Sequence, residues 1–355
     1  MKRYIGLEDM SHINCASVLR VIQSSGGISR KQISDITGLS WGGMTKIVNK
    51  LMEHEYIVEE KNGAFAGNGR TPGLLRVNTK KHLAAGADIN HTGLRAWVTD
   101  FSGGLRKMYF RENHFGNREE LLENILSFFE MIFQDDKNEE IQAVGIAMQG
   151  RVDSEKGISI HFPECENWCD VPLVSILKER FHTEIYLEHD PDCMLFFEME
   201  SMDAENVILL RIDQSIGMAV ALGGAILRGT GILELPHSIV IPGGKLCKCG
   251  LRGCLEAYIA PCMQDGKIQK QALEEMVSPL AVAIYNLICM FHAEAVILTG
   301  DLMKYHGMFE GRLLLELHKM QKDTRTAIRF SEDTETAVKG AALIAARQAV
   351  NAIRL

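Results

Sequence analysis

Apolar residues recur at helical spacing through the first fifty positions and in short strand-like blocks after residue 80. Ile13, Val18, Leu19 and Ile22 fall on one stripe, which predicts a helix over 13–24 ended by Gly26 and Gly27. Ser29 followed by Gln32 is a capping-box pattern and opens a short helix through Ile33 and Ile36 that stops at Gly38. Ser40 caps a third helix, in which Met44, Ile47, Val48 and Leu51 stand at i, i+3, i+4 and i+7 and form one buried face. Its other face carries Trp41, Gly42, Thr45, Lys46 and Asn49. Two short helices about a Gly turn make a helix-turn-helix, whose second helix would enter a DNA major groove. Tyr56–Gly63 and Leu74–Val77 read as the strands of a wing, with Arg70 between glycines at its base, placed for a minor groove.

From Leu83 the pattern changes. Blocks 83–89, 94–101 and 107–114 read as successive strands, 118–133 as an amphipathic helix and 141–148 as a buried strand. Strands recur at 207–212, 217–222 and 225–228, followed by a long helix over 271–291 and a strand at 295–299. The last helix, 336–349, holds Gly340 and its two following alanines for close packing. Two similar runs of strands, helix and strand predict a duplicated α/β body with a ligand cleft between lobes. The expected domains are a winged helix-turn-helix over 1–80, folded separately, and an α/β body over 81–355.

Charge sharpens this division. The net charge is −8, yet residues 1–80 hold 11 Lys and Arg against 7 Asp and Glu, and the rest holds 27 against 39. A basic head on an acidic body suits a nucleic-acid reader joined to a regulatory domain. No apolar run is long enough to span a bilayer, and the first residues lack an apolar signal region. Nine cysteines without such a signal point to a reducing cytoplasm, not to a disulfide framework. Cys15, Cys193, Cys262 and Cys289 are expected as buried thiols and Cys165 and Cys169 as loop thiols. Met194, Met199 and Met202 are expected to fill core or interface.

The densest chemistry lies between 234 and 256. His237, Cys247, Cys249 and Cys254 offer one imidazole and three thiols within eighteen residues, enough to close a tetrahedral zinc shell. No position is left for water, so the stoichiometry is that of a structural site.

The spacing of His237, Cys247, Cys249, Cys254 and Glu256, preceded by Glu234, resembles the ROK family of sugar-responsive repressors, uncharacterised frames and sugar kinases. Asn14, Ser29, Arg30, Gly38, Ser40, Gly69, Arg70 and Pro72 resemble its repressor-type head; Gly145, Gly150, Asp153, Gly217 and Gly340 resemble its body. The resemblance implies actin-like, ribonuclease-H-type lobes, zinc near the cleft and a self-associating body, as a homodimer or homotetramer. It further implies sugar contacts at His189, Asp190, Glu234, His237 and Glu256, with Asp190 matching the kinases' catalytic base. Carboxylates suit vicinal hydroxyls because each can accept paired hydrogen bonds.

The phosphate elements depart from the kinase pattern. Asn90 and His91 stand where that pattern has two glycines, only Gly217 remains of a second glycine set, and Asp301 follows Gly300. Leu233 and Pro236 replace the glycines flanking Glu234, and His189 replaces an Asn. The expectation is a non-enzymatic, cytoplasmic repressor of carbohydrate genes. It would bind a palindromic operator through Trp41, Thr45, Lys46 and Asn49, with Arg30 and Lys31 on phosphates and Arg70 in the minor groove. A sugar or sugar phosphate would release it. Two alternatives stay open: a sugar kinase carrying a DNA-binding head, and a regulator controlled by a protein partner.

Overall fold

The computed structural model describes residues 7–60, 73–135, 140–213, 215–228, 234–264, 267–320 and 326–355. Helix α1 (Leu7–Ser25) starts earlier than its apolar stripe predicts. Its buried stripe is Cys15, Val18, Leu19 and Ile22, while Ile13 is 54% exposed. Helix α2 (Arg30–Thr37) opens on the predicted capping box: Ser29 Oγ accepts from the Gln32 amide, and the Gln32 side chain accepts from the Ser29 amide. Gly38, at φ 68°, closes it in the left-handed conformation that glycine adopts at no steric cost. Ile33 is buried in this helix, but Ile36 is not. Helix α3 (Trp41–Glu53) is capped by Ser40 and buries the expected Met44, Ile47, Val48 and Leu51. Strand β1 (Ile57–Glu60) pairs antiparallel with β2 (Leu74–Val77), and Ile28 bridges to Leu75. Residues 61–72, including Arg70, lie outside the described residues, as does Leu233.

After a short turn the body begins with β3 (His82–Ile89), β4 (Gly93–Asp100), β5 (Leu105–Glu112), α4 (Arg118–Asp135) and β6 (Glu140–Met148). A small antiparallel sheet follows, made of β7 (Arg151–Asp153), β8 (Ile158–His161) and β9 (Cys169–Val171). Then come α5 (Leu173–Phe181), β10 (Glu184–His189) and α6 (Asp190–Met199). The second half holds β11 (Val207–Ile212), β12 (Ile216–Leu222) and β13 (Ala225–Ile226), then α7 (Glu256–Ile259) and a two-residue ladder of β14 (Met263–Gln264) with β15 (Lys267–Ile268). It closes with α8 (Lys270–Phe291), β16 (Ala295–Thr299), α9 (Glu310–Met320), β17 (Ala327–Phe330) and α10 (Thr336–Ala352).

The two large sheets run β10-β6-β3-β4-β5 and β13-β12-β11-β16-β17. Read from opposite ends they have one plan: three antiparallel strands, then two parallel ones. The predicted duplication is therefore present. Helices α4 and α5 pack on one face of the first sheet, and α8 and α9 on one face of the second. Helices α6 and α10 lie between the sheets and complete a layered stack. Small residues permit this. A Cβ on Gly86 would lie 2.2 Å from the Ala342 nitrogen, and one on Gly340 would lie 1.9 Å from the Cys193 carbonyl oxygen. The C-terminal helix thus touches both the first sheet and α6 backbone to backbone.

Helix α8 is long and apolar enough to cross a membrane by length and composition. Leu273, Met276, Leu280, Ile284 and Leu287 nevertheless bury it in the second lobe's core, and Pro279 sits inside it. Met194, Met199 and Met202 join the packing around α6 as expected. Cys289, by contrast, is exposed.

The head is not separate from the body. Cys15, Val18, Leu19 and Ile22 share one apolar cluster with Phe101 of the body and with Ala345, Ala346, Ala349 and Val350 of α10. The His82 ring stacks on Tyr56 at 4.0 Å, and its Nε2 lies 2.9 Å from the His54 carbonyl oxygen. Burial lowers the His82 pKa, so the ring is neutral and donates through that nitrogen. Sequence periodicity located each piece of this joint but not their union, because contacts between residues 15 and 350 leave no local pattern.

Candidate functional site

The cysteine loop forms as the spacing predicted. Val240 and Ile241 both donate to the Gly253 carbonyl, and Ile239 bridges to Cys254. Gly253, at φ 86°, lies so close to this strand that a Cβ would meet the Ile241 carbonyl oxygen at 1.7 Å. The fold brings one ligand atom each from His237, Cys247, Cys249 and Cys254 to within 4.8 Å of one another. Cys247 Sγ is 3.7 Å from His237 Nδ1, and Cys249 Sγ is 3.6 Å from Cys254 Sγ. A tetrahedral zinc with bonds of about 2.3 Å to sulfur and about 2.0 Å to nitrogen has edges of roughly 3.5–3.8 Å. The donor set and these two separations fit that ion. The Nδ1 edge of His237 faces the sulfurs, which leaves Nε2 for a second partner.

Glu256 follows the last cysteine, opens α7 and is 2% exposed. Its Oε2 accepts from Ser215 at 3.0 Å. Its Oε1 lies 2.7 Å from the Lys248 ammonium but outside hydrogen-bond geometry, so it has a charge partner without a hydrogen bond. Glu234 stands exposed just before the 3-10 turn Leu235–His237.

Asp190 begins α6, directly after β10, and is 3% exposed. One of its oxygens is 3.5 Å from His189 Nε2, and the other pairs with the Arg211 guanidinium. Burial keeps the His189 pKa low, so its imidazole is neutral. Arg211 Nε also pairs with Asp213 at 2.6 Å. Desolvation works against the guanidinium's charge, but Asp190, Asp213 and Asp88 together outweigh it and raise its pKa. Asp88, at the end of β3, is buried with Oδ1 unpartnered. Its carboxyl is pushed up to about 6, by burial first; Arg211 opposes the shift and Asp190 adds to it. Asp190 and Glu256 are thus tied to one turn, β11–β12, through Arg211 and Ser215. Sequence reasoning missed Arg211 and Asp213. The available signal was a charged residue inside the otherwise apolar strand Val207–Ile212.

In the segments that depart from the kinase pattern, side chains take up nearby amides. Asn90 Oδ1 accepts from the Thr92 amide, the Gly93 amide and the Thr92 hydroxyl, at 3.0, 3.0 and 2.7 Å. Asp213 Oδ1 accepts from the Asp301 amide at 2.7 Å, just after Gly300. His91 is held by Gln149 through both its amide and its ring.

On the head, Trp41, Lys46 and Asn49 are exposed on α3 and Lys31 on α2. Thr45 is half-buried, and its hydroxyl is buried with no hydrogen-bond partner. Arg30 forms a two-pronged ion pair with Glu59 of β1, one prong at 3.0 Å, which ties α2 to the wing instead of leaving the guanidinium open. Sequence spacing gives the face of a helix but not what packs across it.

A winged helix-turn-helix DNA-binding model matches residues 17–58, and the ROK family model matches residues 84–262. The DNA-binding transcriptional repressor Mlc of Escherichia coli is 27% identical over 319 residues, covering 87% of this chain and 78% of that protein. The xylose repressor of Bacillus subtilis is 25% identical over 328 residues, covering 83% and 84%. A solved ROK family transcriptional regulator, described as a homologue of E. coli Mlc, superposes with a TM-score of 0.83 at 20% identity, covering 96% of this chain and 97% of that one. The ROK match spans half of the chain, from the first strand of the body through the four-ligand loop, and the chain belongs to the ROK family.

Proposed function

We propose that this protein is a cytoplasmic, DNA-binding transcriptional repressor of carbohydrate genes, released from its operator by a sugar bound in the cleft. The observation that carries the reading is the shared core between head and body. Leu19 and Ile22 of α1 share one apolar cluster with Ala346 and Val350 of α10, and α10 itself lies between the two lobes. A change in the angle between lobes therefore moves the surface on which the head rests. Such a change follows ligand binding only if the ligand prefers one of the two arrangements. The relatives named as repressors support the same reading.

The reading takes residues 1–80 as the DNA-binding head and 81–355 as the sensing and self-associating body. Trp41, Lys46 and Asn49 meet base edges, Lys31 a phosphate and Arg70 the minor groove. Arg30 reaches a phosphate only by leaving Glu59. A dimer sets two α3 helices on successive major-groove faces of a palindrome. In the cleft, Asp190, Glu256, Glu234, His189 and His237 hold sugar hydroxyls. His237, Cys247, Cys249 and Cys254 hold a structural zinc, which when bound cross-links the loop and fixes Glu256 beside it.

Kinase activity is the second reading, and the side chains at the phosphate elements weigh against it. Asn90 and Asp213 already use the amides that a phosphate needs, and Asp213 brings a negative charge there. Selection of genomic fragments by the full-length protein, followed by release with a panel of sugars, tests the first reading. ATP turnover on a hexose panel, abolished by Asp190→Asn, would establish the second.

A further inference from the structure

The ion pair between Asp190 and Arg211 joins two lobes. Asp190 begins α6 directly after β10 of the first sheet, and Arg211 is on β11, in the second. The pair belongs to a chain of contacts that continues deeper into the second lobe. Arg211 holds Asp213 at 2.6 Å, and Asp213 accepts from the amide of Asp301 at 2.7 Å, at the start of the 3-10 helix after β16. The carboxylate taken here as the ligand-binding group is therefore already paired, with a cation from the second lobe.

We propose that Arg211 is a tethered mask for Asp190: a neutral polyhydroxy ligand engages Asp190 only by displacing the guanidinium, and that displacement breaks an interlobe tie. The proposal deepens the sugar-release reading and rests on Asp190 as a pocket residue. Three features support it. Displacement leaves no buried charge unpaired, because Arg211 keeps Asp213 and Asp190 gains hydroxyl donors; this avoids the penalty that normally makes breaking a buried pair prohibitive. A second cross-lobe pair, Arg228 with Glu188 at 2.9 and 3.1 Å, still joins the lobes when the first is lost, so displacement alters their angle without parting them. The surroundings also select the ligand's charge. Asp88, Asp190 and Asp213 surround one guanidinium, with Arg95 3.6 Å from Asp88 as the next cation. Carboxylates outnumber cations there, so a hydroxyl is accepted and a phosphate or carboxylate is repelled.

The test is isothermal titration of the full-length protein with D-glucose, D-xylose, N-acetyl-D-glucosamine and glucose 6-phosphate. Wild type is compared with Arg211→Thr, Asp190→Asn and the double variant. Arg211→Gln, which keeps most of the stem, replaces Arg211→Thr if the latter melts at a lower temperature. If the masked form holds about nine-tenths of the population, unmasking tightens binding about tenfold. The expected result is that gain for at least one neutral sugar, its loss when Asp190→Asn is added, and no gain for glucose 6-phosphate. Equal or weaker binding of every neutral sugar by the Arg211 variants overturns the proposal. So does a gain that survives Asp190→Asn, a gain confined to the phosphate, or the absence of sugar binding in all four proteins. DNA binding is measured separately: a wild type that ignores DNA rejects the repressor reading while the titration still decides the mask.

Discussion

Replacing Asp88 by Asn should stabilise this protein, and by an amount that grows with pH. Asp88 ends β3, is 4% exposed and has one carboxyl oxygen without a hydrogen bond. Its pKa is about 6 in the folded chain against an ordinary 3.8. The folded state therefore favours the protonated acid. The contribution of Asp88 to stability is fully present below pH 3.8 and is lost as pH rises through about 6. Asparagine resembles the protonated acid and does not titrate. Linkage puts the gain from Asp88→Asn near zero at pH 3, on the order of 1–2 kcal/mol at pH 5 and about 3 kcal/mol at pH 8. The assay is urea unfolding of both proteins at pH 5 and pH 8, followed by tryptophan fluorescence; Trp97 lies opposite Gly86 on the neighbouring strand and reports on this sheet. A variant that is equally stabilised at both pH values, or less at pH 8, would refute the claim that Asp88 is held with a raised pKa by its burial.

Three further outcomes follow from the geometry. Cys249→Ala should lower bound zinc, measured by plasma mass spectrometry, from one per chain to a small fraction, and should weaken sugar binding more than DNA binding. Replacing both Lys46 and Asn49 by Ala should weaken operator binding in fluorescence anisotropy by at least about tenfold, since a good base contact is worth roughly 1–3 kcal/mol; Arg30→Ala should cost less, because Arg30 is engaged by Glu59. Gly340→Val should prevent folding or cost more than about 4 kcal/mol in urea unfolding, because its Cβ would enter the Cys193 backbone, which cannot yield as a side chain can.

Local features of the sequence were the legible ones. The caps at Ser29 and Ser40, the buried face of α3 and the small residues of α10 all depend on neighbours within one or two turns, and each stands as expected. The four-ligand loop was legible for the same reason: its donors lie within eighteen residues and its glycines announce the turns. The repeat of strands disclosed the duplicated body, although β7–β9, α5, β10, α6, α7, β14, β15, α9 and β17 escaped notice because they are short or weakly periodic. What spacing could not show was pairing across distance. Arg30 with Glu59, Arg211 with Asp190, and α1 with α10 join residues from 21 to more than 300 positions apart. A helical wheel also misplaced Ile13, since it gives direction but not whether anything packs on that side.

The most direct test of the central claim is operator affinity with and without a cleft ligand. Full-length protein is titrated onto a labelled genomic fragment that it selects, at fixed salt, alone and with millimolar D-glucose, D-xylose or N-acetyl-D-glucosamine. The account predicts tight binding by the free protein, a drop of at least about tenfold with one of these sugars, and loss of that drop in Asp190→Asn, a coupling within the ordinary allosteric range. DNA affinity that is unchanged by every sugar, or a sugar effect that persists in Asp190→Asn, would contradict it.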